Sequence, residues 1–152
     1  MSAPYTGGCQ CGAVRYEITG EPLTIYRCYC TDCQKQSGSA YGMSMLVPIE
    51  FFKLVRGELK SFEKIAESGR PASCHFCGEC GSRIYNARTS APEWVVVKPG
   101  TLDDVSWVHP VGSMWARSAP PFAAFPDGEL KFDKQPEHME DLFDAYRNLG
   151  GA

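Results

Sequence analysis

Residues 26–38 read YRCYCTDCQKQSG, which places Cys28, Cys30 and Cys33 in one short loop with C-x-C-x-x-C spacing. A C-x-x-C turn aims two thiolates at one ion, about 2.3 Å from each sulfur. In an extended C-x-C both side chains fall on one face of the chain, but the backbone must bend to bring both to one ion. Zinc usually takes four ligands. The loop is therefore either three-quarters of a closed metal site or the whole protein part of an open one.

The other five cysteines narrow the choice. Cys9 and Cys11 lie in GGCQCG, residues 7–12, and Cys74, Cys77 and Cys80 lie in ASCHFCGECGS, residues 72–82. Structural zinc sites commonly join two chelating pairs distant in sequence, which staples the fold. Cys9 and Cys11 with Cys77 and Cys80 make such a four-thiolate site. That leaves Cys28, Cys30, Cys33 and Cys74. If Cys74 completes the second site, the chain carries two closed structural zincs and reads as a non-catalytic interaction module. If it stays away, the second zinc keeps a position for substrate. A third reading, a redox switch through Cys30 and Cys33, needs a disulfide to form as zinc leaves. His75, His109 and His138 are expected to be ordinary polar residues rather than ligands.

An open three-thiolate site suits particular chemistry. Three thiolates on a divalent ion leave it near one negative charge, so it is a weak Lewis acid and a poor activator of water. It suits an incoming thiol, whose pKa the metal lowers.

The remaining sequence sets the frame. The chain has 152 residues, 43% hydrophobic and 22% charged, with a net charge of -3 and a pI near 5.6. This is a globular balance, and one domain over residues 1–152 is expected. The mild acidity argues against nucleic acid as a partner, since such domains show a basic excess or stripe. Neither a signal peptide nor an apolar run of membrane-spanning length is visible, which predicts a cytoplasmic protein without membrane contact. In a reducing compartment, eight cysteines point to metal or catalysis rather than disulfides. No nucleophile elbow, phosphate loop or dinucleotide fingerprint is present. Nothing in the sequence specifies an oligomeric state.

The expected class is mainly β, with short helices and a C-terminal helix. Strands are expected at residues 13–18, 24–29, 41–47, 51–55, 59–65, 83–86 and 93–98, from alternation and β-forming residues. The run at 59–65 follows Arg56-Gly57 and reads as the return arm of a hairpin with 51–55. One helical turn is expected at 31–36, capped by Thr31 or Asp32. A C-terminal helix should start near Pro136 and stop at Gly150, with Met139, Leu142, Phe143, Tyr146 and Leu149 on its apolar face. The acid pair Asp103-Asp104 reads as solvated.

Three motifs together carry a resemblance: GGCQCGAVRYE at 7–17, CYCTDCQKQSGSAYG at 28–42 and HFCGECGSRIY at 75–85, supported by GTLDD at 100–104. In these the chain resembles the glutathione-dependent formaldehyde-activating enzyme family, which includes centromere protein V. The resemblance runs over a core of about 7–122, with 123–152 a C-terminal extension. It implies a beta-tent fold, a structural zinc on Cys9, Cys11, Cys77 and Cys80, and a catalytic zinc on Cys28, Cys30 and Cys33. Two zinc ions per chain are implied, with a thiol such as glutathione and an aldehyde as partners. The implied reaction is that of an S-(hydroxymethyl)glutathione synthase, a carbon–sulfur lyase read in reverse. Cys74 lies outside the usual ligand set. In HPVGSMWARSAPPF, residues 109–122, Ser113, Ala119 and Phe122 stand where the family pattern has histidine, lysine and tryptophan. Loss of that cation predicts a weaker hold on a glutathione carboxylate.

Overall fold

A computed structural model describes residues 2–89 and 92–150. In chain order its strands are β1 (Tyr5–Gly8), β2 (Arg15–Ile18), β3 (Thr24–Cys28), β4 (Gly42–Pro48), β5 (Phe52–Arg56), β6 (Leu59–Ile65), β7 (Pro71–Cys77), β8 (Arg83–Arg88), β9 (Trp94–Val97), β10 (Gly112–Met114) and β11 (Leu130–Lys131). The helices are α1 (Thr31–Ser37) and α2 (Glu140–Gly150). The described chain is mainly β with a C-terminal helix, as the sequence predicts. No helix among the described residues is long and apolar enough to cross a membrane.

The chain divides into two compact units. The first takes residues 1–22 and 45–108. In it β1, β2 and β5 form an antiparallel sheet, with Tyr5 opposite Ile18 and Ile18 opposite Phe52. A second antiparallel run pairs β4 with β9, β9 with β8, β8 with β7 and β7 with β6. Val95 and Val97 on β9 are buried while Trp94 and Val96 are half-buried, the period of a strand with one face on the core. Met45, Leu46 and Val47 on β4 are all buried, the continuous apolar run of a strand covered on both faces.

The expected hairpin between 51–55 and 59–65 does not form. β5 pairs with β2, and β6 pairs with β7. The reason is register length. β6 finds seven opposed residues on β7, from Leu59 opposite Cys77 to Ile65 opposite Pro71. β5 offers only five residues and has its own partner in β2.

The second unit takes residues 23–44 and 109–152. Here β3, β10 and β11 lie side by side and parallel, with Ser113 opposite both Arg27 and Lys131. α2 packs on β3. Leu142 is fully buried, and its carbonyl accepts a hydrogen bond from the Thr24 hydroxyl at 3.0 Å. Burial of one such leucine contributes about 2 kcal/mol. α2 begins at Glu140 rather than near Pro136, and Leu149 stays 44% exposed. Pro136 is buried four residues upstream of the helix, outside it.

Candidate metal centres

The first unit gathers four thiols. Cys9 and Cys11 follow β1, Cys77 ends β7, and Cys80 lies in the turn to β8. Their sulfurs all lie within 4.8 Å of one another. Cys9 and Cys11 are 3.5 Å apart, and Cys11 and Cys77 are 3.8 Å apart. Four sulfurs placed tetrahedrally at about 2.3 Å from zinc stand about 3.8 Å from each other. The donor set and its spacing fit zinc.

Two matched turns make the cluster. Gly12 donates to the Cys9 carbonyl at 3.1 Å, and Gly81 donates to the Cys77 carbonyl at 2.9 Å. Both glycines are left-handed, with φ of 80° and 78°, a conformation that side chains resist. Backbone N–H groups then point at sulfur: Val14 at Cys9, 3.2 Å, and Glu79 at Cys77, 3.4 Å. Ser82 ties the turns together, its hydroxyl accepting from the Gln10 N–H at 3.0 Å and lying 3.3 Å from the Cys80 sulfur.

The thiols divide their protons unevenly. Cys80 is lowered to about 5, first by the Ser82 hydroxyl and then by backbone donors. Cys11 gains from the Ala13 N–H, yet the Cys9 sulfur and its other neighbours push it up to about 12. Four thiols this close ionise together only around a cation.

Arg15 and Asp103 brace the same unit. The Arg15 guanidinium grips Asp103 with both terminal nitrogens, and the Thr6 hydroxyl donates to the same carboxylate at 2.7 Å. The Arg15 bond, and then the Thr6 bond, lower Asp103 to about 2. Asp103 is exposed, as expected of a solvated acid, but it also ties the strand after Cys11 to the turn at 100–104. Asp104 is half-buried and accepts from the Ser106 N–H at 2.9 Å. A paired acid in a turn was visible in the sequence, but its basic partner lies 88 residues away.

The second unit gathers three thiols. Cys28 ends β3, Cys30 precedes α1 and Cys33 lies within it. Their sulfurs also lie within 4.8 Å of one another, with Cys28 and Cys30 buried and Cys33 half-buried. The helix cap is Cys30, not Thr31 or Asp32: its sulfur accepts the Cys33 N–H at 3.3 Å, taking the role of a capping oxygen. One side chain thus starts the helix and faces the cluster. Gln34 pins this loop, its amide donating at 2.8 Å to the carbonyls of both Tyr29 and Ser118. Nothing in the sequence singled Gln34 out. The Cys28 thiol is raised well above its usual range, first by Cys30, then by Cys33 and by burial. Three crowded thiols of this kind fit a soft divalent cation such as zinc.

Cys74 stands in neither group. It is buried on β7, opposite Phe62 and Asn86. His75 stacks on Tyr85 at 4.3 Å and shares a hydrogen bond with Ser73, and no histidine joins either group among the described residues.

Two comparisons bear on this arrangement. The chain is similar in structure to a crystal structure of a Rhodobacter sphaeroides protein, with a TM-score of 0.53 and 23% identity over 84% of this chain and 98% of that one. That likeness speaks to the fold alone. Residues 4–118 match the sequence model described as glutathione-dependent formaldehyde-activating enzyme. With the cysteine motifs of that stretch folded into two metal-fitting clusters, the chain belongs to the glutathione-dependent formaldehyde-activating enzyme family.

Proposed function

We propose that the protein is a zinc-dependent carbon–sulfur lyase or synthase that joins a small thiol, glutathione in the first instance, to formaldehyde or a related aldehyde. Cys9, Cys11, Cys77 and Cys80 hold a structural zinc. Cys28, Cys30 and Cys33 hold a second zinc with its fourth position left for the substrate thiol. The observation that carries this reading is the contrast within one family member: a complete four-cysteine group and a three-cysteine group that Cys74 does not join.

A zinc ion on three thiolates supplies a place where a thiol is held as thiolate near neutral pH. The chain's own residues set the geometry. The capping bond from the Cys33 N–H orients the Cys30 sulfur, and Gln34 fixes the backbone at Tyr29 between two of the ligands. Cys33 is the least buried of the three, which would leave a substrate thiol a side to enter from. The reaction is an addition. A bond forms between sulfur and the carbonyl carbon, the carbonyl π pair moves to oxygen, and the proton lost by the thiol ends on that oxygen. No atom leaves and no redox partner is needed. Thiols grouped for metal suit a reducing, cytoplasmic setting.

The test is formation of S-(hydroxymethyl)glutathione from glutathione and formaldehyde, measured against the spontaneous reaction. A rate above background that vanishes in Cys30→Ser supports the proposal. A rate equal to background for glutathione and for other small thiols overturns it.

A further inference from the structure

Beside the three-cysteine loop, the second unit carries a closed run of aromatic and charged contacts. Tyr29 stands between Cys28 and Cys30 in the chain and is 2% exposed. Its ring packs on two others, Tyr41 at 5.3 Å and 56° and Phe125 at 5.3 Å and 50°. Both are tilted pairs at a separation that aromatic rings favour. The Arg27 guanidinium lies 6.0 Å from the centre of the Tyr41 ring, and Arg27 is ion-paired with Glu129. Lys131 holds its ammonium 4.3 Å from the centre of the Phe125 ring. Phe125, Glu129 and Lys131 belong to one short segment, and that segment closes the circuit. Phe125 meets Tyr29, Tyr29 meets Tyr41, Arg27 lies over Tyr41, and Glu129 holds Arg27.

The circuit reaches the sulfurs by two routes. The first is Tyr29 itself. Its N–H donates to the Met114 carbonyl at 3.0 Å, and its carbonyl accepts from the Gln34 amide at 2.8 Å. With the ring held as well, the residue that sets the angle between the two C-x-C ligands is fixed at backbone and side chain. The second route is Tyr41. Its carbonyl accepts from the Ser37 hydroxyl at 3.0 Å, and the same hydroxyl lies 2.8 Å from the Cys33 carbonyl. The next residue, Gly42, packs so closely on Cys33 that a side-chain carbon there would stand 3.1 Å from the Cys33 Cβ and 3.4 Å from its sulfur. Groups behind the ligands orient them, and metal affinity depends on that orientation.

Phe125, Glu129 and Lys131 lie beyond residue 118, outside the stretch matched by the family. We propose that Phe125 is a positioning residue for the second metal. Together with Glu129 it clasps the Tyr29–Tyr41 pair and holds Cys28, Cys30 and Cys33 in the geometry that binds the ion. The proposal rests on the reading of this cluster as a zinc site and deepens it, by assigning part of the site's preorganisation to the C-terminal extension.

The test measures zinc affinity at both sites by chelator competition on the zinc-loaded protein. Cys30→Ser, which keeps only the first site, marks that site's share of the titration. Phe125→Ala should weaken the second zinc about tenfold, as loss of a group that orients a ligand does, and leave the first unchanged. In the protein loaded with cobalt(II), the same variant should shift the d–d absorption bands of the second site, which report the arrangement of sulfurs around the ion. Phe125→Tyr, which keeps the ring, should restore native affinity and native bands. If Phe125→Ala fails to fold, Phe125→Leu, which keeps apolar volume without the ring, decides by the same two readings. A lower Tm with native zinc affinity and native bands would show that Phe125 only supports the fold, and would overturn the proposal. Equal weakening of both zincs, or a Phe125→Tyr variant as weak as Phe125→Ala, would overturn it too. A native protein that takes up a single zinc would sink the zinc reading and the clasp together. Two zincs in the native protein, with both readings unmoved in Phe125→Ala, would sink the clasp alone.

Discussion

The two cysteine clusters are built on different plans. Cys11 and Cys77 come from turns 66 residues apart, and their meeting ties the start of the chain to its middle. Cys28, Cys30 and Cys33 come from one loop of six residues, and their meeting ties nothing distant. The first cluster has four sulfurs, a left-handed glycine in each turn and several N–H donors aimed at sulfur. The second has three sulfurs, and one of them caps a helix. A site that staples a fold needs distance between its ligands. A site that accepts a substrate needs a local, preorganised loop and an incomplete ligand set. On the proposed function the two metals would not be interchangeable: one would be part of the fold, the other part of the chemistry.

Removing a ligand from the staple should do the most damage. Cys77→Ser is expected to lose a zinc and to lower the Tm by on the order of 10 °C or more, because binding energy at such a site is folding energy. Metal analysis with a thermal melt checks it, and a near-native melt would break the contrast at its first term. Cys30→Ser should remove the other zinc and all activity above background, yet lower the Tm by only about 2–4 °C. A collapse as large as that of Cys77→Ser would mean that both sites are structural.

Cys74→Ser sharpens the comparison further. The substitution places a hydroxyl in a buried strand and should cost about 1–2 kcal/mol while leaving two zincs per chain. Loss of the second zinc in this variant would show that Cys74 closes the site. Smallest is the Arg15–Asp103 brace. Asp103 is lowered to about 2 from 3.8, so its stabilisation is present above about 3.8 and is lost as pH falls from there to about 2. The carboxylate is 47% exposed, so Asp103→Asn should cost only about 0.5–1 kcal/mol near neutral pH. It should also flatten the acid limb of a stability-against-pH curve, and an unaltered limb would show that the brace carries no stability.

Parts of this were legible in the sequence for identifiable reasons. The run at 93–98 announces its strand through its valines and tryptophan, and β6 falls on the residues expected after the turn at Arg56-Gly57. The cysteine spacing pointed to the two groups, because C-x-C and C-x-x-C constrain the backbone locally. β7 was hidden, since its Cys, Ser and His residues read as a metal loop although six of its seven residues face partners on β8 or the cluster. The β5–β6 hairpin misled because a turn at Arg56-Gly57 says nothing about which strand each arm prefers. Long-range partnerships such as Arg15 with Asp103 have no local signature. The parallel register of β3, β10 and β11 is likewise something that sequence periodicity does not reveal.

The claim that the second cluster is open to a thiol is tested most directly by zinc K-edge absorption on the two-zinc protein, before and after addition of glutathione. The account predicts that the average number of sulfur ligands per zinc rises toward four as the thiol enters at Cys28, Cys30 and Cys33, and that Cys30→Ser abolishes the change. A spectrum already at four sulfurs per zinc, and indifferent to glutathione and other small thiols, would contradict it.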